Sequence, residues 1–231
     1  MLSSFKNLSK FERILWILSV VTIILSSVFI GKDVLTAAAS LVGVTALIFI
    51  AKGDVLGQIL TIVFAVMYGI ISYKFRYWGE LITYVGMTAP TAGAAVVTWL
   101  KNPYTKHEVK ISPMTREKAA AVILLTAAVT ALFYFILRAL HTPNMLFSTI
   151  SIATSFSAAF LMVLRSPFYA VCYAANDLVL IVLWVLAAMT DISYFAMIIC
   201  FSIFFINDIY GFVNWRKMAK RQFMLRHLSQ K

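Results

Sequence analysis

The chain has 231 residues, of which 62% are hydrophobic and only 13% charged, and it carries a net charge of +11. Soluble domains run near ~45–50% apolar and ~25% charged, so a water-soluble globule is excluded. Long continuous apolar runs likewise exclude a transmembrane barrel, whose strands alternate.

Eight apolar segments can be read in order, at about 14–30, 34–51, 55–73, 78–100, 119–139, 145–164, 168–189 and 192–214. Each is close to the ~20 residues that cross a ~30 Å hydrocarbon layer as a helix. The first follows Lys6, Lys10 and Arg13 and reads as an anchor rather than a cleaved leader. Short gaps make neighbouring helices antiparallel; the exception is 101–118, a polar loop holding Pro103 and Pro113. With the N-terminus in the cytoplasm, 16 Lys and Arg fall on inner loops and tails, and four (Lys32, Lys74, Arg76, Arg138) fall outside. The positive-inside rule therefore accounts for the basic charge without nucleic acid and leaves both termini cytoplasmic.

Residues 34–101 and 145–217 read as weak copies of one another. Each has a helix ending in a lone base (Lys52, Arg165), a second helix, an outer turn, and a third helix ending in Trp99 or Trp215 beside Lys or Arg. A three-helix unit exits opposite its entry, so the segment 119–139 must return the chain and the two units run parallel. The expected fold is an all-α polytopic membrane protein with eight transmembrane helices in a 3+1+3 arrangement plus an accessory N-terminal helix. Its expected divisions are 1–33 (N-terminus and accessory helix), 34–101, 102–144 (cytoplasmic loop and linker helix), 145–217, and a basic tail at 218–231. Parallel repeats of this kind place a site near the midplane between them. The tail suits anionic lipid headgroups.

Polar residues inside these apolar runs are the candidate functional groups, because burying them in hydrocarbon is costly. The seventh segment carries Asn176 and Asp177 about 12 Å from its inner end, and the eighth carries Asn207 and Asp208 about 11 Å from the same surface. Two readings stand: a polar band for a hydroxylated ligand, or interhelical ties in which the pairs satisfy one another. Tyr173, Asp177 and Trp184 share one helical stripe, while Asn207, Gly211 and Asn214 share another. An indole and amides on one wall suit a planar heteroaromatic ligand. The alternative for Trp99, Trp184 and Trp215 is an interfacial belt. In the first unit Thr61 lies at the level of Asn176, with Gln58, Tyr68 and Tyr73 nearby, followed by Glu80, Tyr84, Met87 and Pro90. Pro90 should loosen its helix near mid-membrane. Glu80, at the outer mouth, is expected to pair with Lys74 or Arg76.

Catalysis finds no support. There is no GxSxG, HExxH or phosphate loop, and His107, His141 and His227 are scattered over loops and tail. Cys172 and Cys200 lie inside apolar runs without ligand spacing and read as inert thiols. No cofactor and no metal are expected.

Tyr84-Val-Gly-Met-Thr-Ala-Pro90, Trp99-Leu-Lys-Asn-Pro103, Tyr173-Ala-Ala-Asn-Asp177 and Asn207-Asp-Ile-Tyr-Gly-Phe-Val-Asn-Trp215, with the helix count and basic central loop, resemble the nicotinamide riboside transporter (PnuC) family. The resemblance implies a multi-pass protein of the bacterial inner membrane, homotrimeric, moving nicotinamide riboside by facilitated diffusion before a cytoplasmic kinase traps it. It implies that Asn176 and Trp184 are site residues, with Tyr210, Asn214 and Trp215 contributing from the last helix; Tyr173, Asp177, Asn207, Gln58 and Tyr84 complete the candidate set. One departure is visible: the family's WxxW in the fourth helix is incomplete, with Val96 before Trp99, while Phe212 and Trp215 form an FxxW. Transporters of thiamine or riboflavin are similar and remain alternatives, as do a substrate-binding subunit dependent on an ATPase and proton coupling through Asp177 or Asp208.

Overall fold

The structure is a computed structural model that describes residues 2–31, 33–74, 78–142 and 144–228. Its helices are α1 (Leu2–Lys6), α2 (Lys10–Ser26), α3 (Val34–Lys52), α4 (Val55–Lys74), α5 (Trp78–Leu81), α6 (Ala89–Lys101), α7 (Arg116–Ala139), α8 (Met145–Val163), α9 (Tyr169–Ala188) and α10 (Phe195–Leu228). Eight of the described helical stretches are long and apolar enough to cross a membrane, with α5 and α6 joined into a single span, Trp78–Lys101. Of the charges that set the expected orientation, Lys32, Arg76 and Lys231 lie outside the described residues, as does the Arg226 side chain.

Local chemistry explains where these helices start and bend. Ser9 and Glu12 form a reciprocal capping box at the start of α2, which satisfies two otherwise orphaned N–H groups. Asp33 caps α3: its Oδ2 accepts from the Thr36 hydroxyl at 2.5 Å and from the Thr36 N–H at 2.8 Å. Those bonds hold its carboxyl below the ordinary aspartate value. Between α5 and α6, residues Ile82–Thr88 widen into a π-helical stretch in which the Ala89 N–H reaches Tyr84 O, five residues back. Pro90 follows at once. It has no N–H to offer Gly86, so the ladder shifts register there instead of breaking.

Two elements differ from the sequence expectation. The central loop carries a small antiparallel hairpin, β1 (Pro103–Thr105) and β2 (Glu108–Val109), within the otherwise helical fold. The last helix does not stop near 214: α10 runs on to Leu228, so the expected tail begins as helix. No Gly or Pro interrupts residues 212–228, and Met218 and Gln222 are buried. At ~51 Å, a 34-residue helix overshoots the ~30 Å hydrocarbon layer by several turns.

The first three spans after α2 pack as neighbours, α3 on α4 and α4 on α6; α8 packs on α9 and α9 on α10. Between these groups the contacts are α3 with α10 and α6 with α8. The hairpin lies at the end where α3, α6 and α8 terminate. Val109 N–H donates to Gly53 O, and Ser112 N–H donates to Arg165 O. Gln222 on α10 bonds Glu108, Val109 and Ile111, and Arg221 pairs with Glu108.

Candidate functional site

Along α9 and α10 the two Asn-Asp pairs divide their roles. Asn176 turns to α8, where its Oδ1 accepts from Ser151 Oγ at 3.0 Å and Thr154 Oγ1 at 2.9 Å. These hydroxyls fix the amide, whose Nδ2 makes no hydrogen bond among the described residues. Asn207 turns to α2, with Nδ2 donating to Ser19 Oγ at 3.3 Å and to Ile203 O at 2.9 Å. The aspartates turn to each other, and the carboxyls of Asp177 and Asp208 lie within electrostatic reach of one another.

A file of polar groups extends from that pair. Asp177 is within electrostatic reach of the Tyr84 and Tyr173 hydroxyls, and Tyr84 in turn is within reach of Glu80. The Tyr68 and Tyr84 rings meet at 4.3 Å between centroids, and Tyr68 also lies near Glu80 and the Trp184 indole. Within this file Tyr68 OH, Glu80 Oε2 and Asp177 Oδ2 are sealed from solvent and have no hydrogen-bond partner among the described residues. Gln58 Nε2 and Asn207 Oδ1 share that condition. Native interiors leave few such groups, and each calls for an explanation.

The file opens into a cavity of about 280 Å³ at the end remote from the hairpin, lined by Glu80, Thr83, Asn144, Ser148 and Trp184 among others. Trp184 is buried and its ring lies 5.6 Å from that of Tyr194. Glu80 does not form the expected ion pair with Lys74: the ion pairs among the described residues engage Glu12, Asp54 and Glu108 instead. Arg76, the other expected partner, lies outside the described residues. The reason is geometric: the α5 turn directs the Glu80 side chain inward, into the cavity wall.

Three candidates near the opposite end have protein partners. Trp215 is 0% exposed and donates from Nε1 to Ile50 O at 2.8 Å. Asn214 Nδ2 donates to Ala51 O at 2.8 Å, and Tyr210 OH donates to Glu12 Oε1 at 2.9 Å. Glu12 also pairs with Lys52 at 3.2 Å, so it joins α2, α3 and α10. Trp99 mirrors Trp215, 1% exposed with Nε1 donating to Met162 O at 3.1 Å, and the two indoles lie 5.4 Å apart. Neither Trp belongs to a lipid-facing belt. Gly211 lets another helix approach: a Cβ there would come within 3.0 Å of Tyr169 OH.

The sequence reading overlooked three participants. Tyr68 was noted only as a neighbour, and its unpartnered hydroxyl follows from tertiary packing. Of the hydroxyls that hold Asn176, Ser151 has a legible signal, since Ser148, Ser151 and Ser155 recur at helical spacing in the sixth apolar segment, while Thr154 lies off that stripe. Glu12 had one too, in the Ser9-Lys-Phe-Glu12 capping pattern. Among the described residues no cluster of His, Cys, Asp and Glu could hold a metal ion.

Comparison with known proteins places these features in a family context. Residues 33–217 match the family described as nicotinamide mononucleotide transporter. A nicotinamide riboside transporter PnuC of Neisseria mucosa is 22% identical over 200 residues, covering 84% of this chain and 76% of that protein. Its counterpart in Haemophilus influenzae is 22% identical over 182 residues, covering 78% of this chain and 77% of that protein. The crystal structure of a vitamin B3 transporter PnuC superposes with a TM-score of 0.81 at 20% identity, covering 94% of each chain. At that identity the likeness establishes the fold.

Proposed function

This chain belongs to the nicotinamide mononucleotide transporter family, and from that premise we propose that it takes up nicotinamide riboside by facilitated diffusion. One observation carries the reading: sealed, unpartnered polar atoms on Tyr68, Glu80 and Asp177 form a file leading inward from a cavity walled by Trp184. Each such atom costs on the order of several kcal/mol in hydrocarbon if nothing meets it. A hydroxylated heteroaromatic passing along the file would supply those hydrogen bonds.

The choice of riboside over mononucleotide rests on charge. Among the described residues the cavity lining contains no Lys or Arg, so a phosphate dianion would enter beside Glu80 without compensation from them. The relatives named for nicotinamide riboside support the same choice. Asn176, with its hydroxyl-fixed amide, and Trp184 are the proposed ligand contacts; Asp177, Tyr84 and Tyr173 line the path beyond. Gln58 and Asn207 complete the set as unsatisfied groups on the facing helices. Tyr210, Asn214 and Trp215 act chiefly as ties between helices.

The site lies between two three-helix units, 34–101 and 145–217, which open alternately to either side. Support comes from their reciprocal contacts, α3 with α10 and α6 with α8. The same proposal holds that both termini face the bacterial cytoplasm and that a kinase traps the product there. It also holds that the chain is a homotrimer that acts as a transporter and not as an enzyme. A thermal-shift and calorimetric screen of the purified chain tests the substrate, because a ligand that binds only the folded state raises its stability. Saturable binding of nicotinamide riboside is expected; tight binding of thiamine or riboflavin in its place would overturn the reading.

A further inference from the structure

Glu80 is the one acid among the described residues that line the cavity. Among the described residues its Oε2, sealed from solvent, meets no hydrogen-bond donor, and no Lys or Arg lines the cavity. His141 lies on the same lining but makes no ion pair with it among the described residues. A carboxylate so placed is unfavourable unless a cation meets it. Its immediate surroundings are aromatic: Tyr68 lies within electrostatic reach of Glu80 and beside the Trp184 indole. Aromatic faces attract cations through their quadrupole, and more strongly when both partners are desolvated. A carboxylate and an indole on the lining of one cavity therefore match a flat organic cation better than a neutral ring or an anion.

We propose that Glu80 is the charge-selectivity residue of the outer cavity, neutralising the fixed positive charge of an N-alkylated pyridinium ring that lies against Trp184. This rests on the nicotinamide riboside reading, since that ligand carries such a charge on its ring nitrogen. It adds a role that no shape or hydrogen-bond argument supplies: the site discriminates the oxidised, cationic ring from its reduced, neutral counterpart. The two differ by one hydride and little in shape, so charge is the main feature left to read.

The test is calorimetric binding of nicotinamide riboside and of 1,4-dihydronicotinamide riboside to the purified full chain and to Glu80→Gln and Glu80→Asp. The native protein should prefer the cation. Glu80→Gln should weaken cation binding roughly 30-fold or more, the low end of what is lost when a desolvated charge pair loses one partner, while binding of the neutral ligand changes far less. Glu80→Asp should retain much of the preference. A readout that needs no variant is competition, in which 1-methylnicotinamide should displace bound riboside at lower concentration than nicotinamide does. The charge role is overturned if native protein binds both redox forms equally, or if Glu80→Gln affects both alike. Failure of the native protein to bind either form would overturn the substrate reading and this inference together.

Discussion

At the scale of single residues, two turns at the hairpin end, built from different side chains, reach the same geometry. After α3, Gly53 takes a left-handed conformation (φ 75°), with its N–H on Ile50 O and the Asp54 N–H on Phe49 O. After α8, Arg165 does the same (φ 58°), with its N–H on Met162 O and the Ser166 N–H on Leu161 O. Ile50 O and Met162 O are also the carbonyls that receive Trp215 and Trp99. The left-handed region is where Gly is favoured, and a Cβ at Gly53 would press within 2.8 Å of Met218 Cε. Gly53→Ala should therefore cost about 1–2 kcal/mol, read as a lowered Tm of the purified protein. On the functional side, Asn176→Ala should weaken riboside binding about tenfold or more, the scale of one lost hydrogen bond in a desolvated site. Cys200→Ala, a change to a buried free thiol, should alter affinity far less; equal losses in titration calorimetry would remove Asn176 from the site.

At the scale of elements, the hairpin between α6 and α7 acts as a clasp. It bonds the turn after α3 through Val109 and the turn after α8 through Ser112, and it bonds α10 through Gln222. His107 Nδ1 adds a hydrogen bond with Asp54 Oδ2 at 2.9 Å. Gln222 alone satisfies the Ile111 N–H at 2.8 Å, Glu108 Oε1 at 2.7 Å and Val109 O at 3.0 Å. Gln222→Ala should leave these groups without partners and cost about 2–3 kcal/mol. Faster amide exchange over residues 103–112 would reveal the loosened clasp, while exchange in α8 should stay slow.

At the scale of the whole molecule, the clasp and the paired indoles gather at one end and the cavity opens at the other. That asymmetry suits a transporter resting closed on the side of the hairpin. In the proposed two-unit mechanism, opening there requires the contacts between α3 and α10, or between α6 and α8, to part while each unit moves as a body. The Asp177–Asp208 pair sits between two helices of the same unit, α9 and α10, where it can tie them without sensing that motion. Liposomes containing this chain alone should therefore equilibrate nicotinamide riboside without ATP, and dissipating a proton gradient should leave the rate unchanged. Uptake that collapses with the gradient, and is restored to gradient independence by Asp177→Asn or Asp208→Asn, would show coupling through that pair.

The sequence by itself determined the membrane class and the eight spans. These depend on run length, the cost of burying polar groups, and a fixed rise per residue, all local quantities. Helical phase also placed Asp177 and Trp184 on one stripe. Only the tertiary structure decided what each polar group faces. Asn176 turns to α8, Asn207 to α2 and the aspartates to each other because side-chain direction depends on how helices are rotated against their neighbours. Trp99 and Trp215 could be assigned to lipid or interior only once the helix ends had met. The course of α10 past Trp215 was hidden for the same reason: basic residues read as a tail until Met218 and Gln222 find a hairpin to bury against. Glu80 turned most of all on tertiary information, since nearby lysine and arginine residues in the chain pointed to an ion pair. The fold sets the side chain in the wall of the cavity that Trp184 also lines, without an ion pair to Lys74, while Arg76 lies outside the described residues.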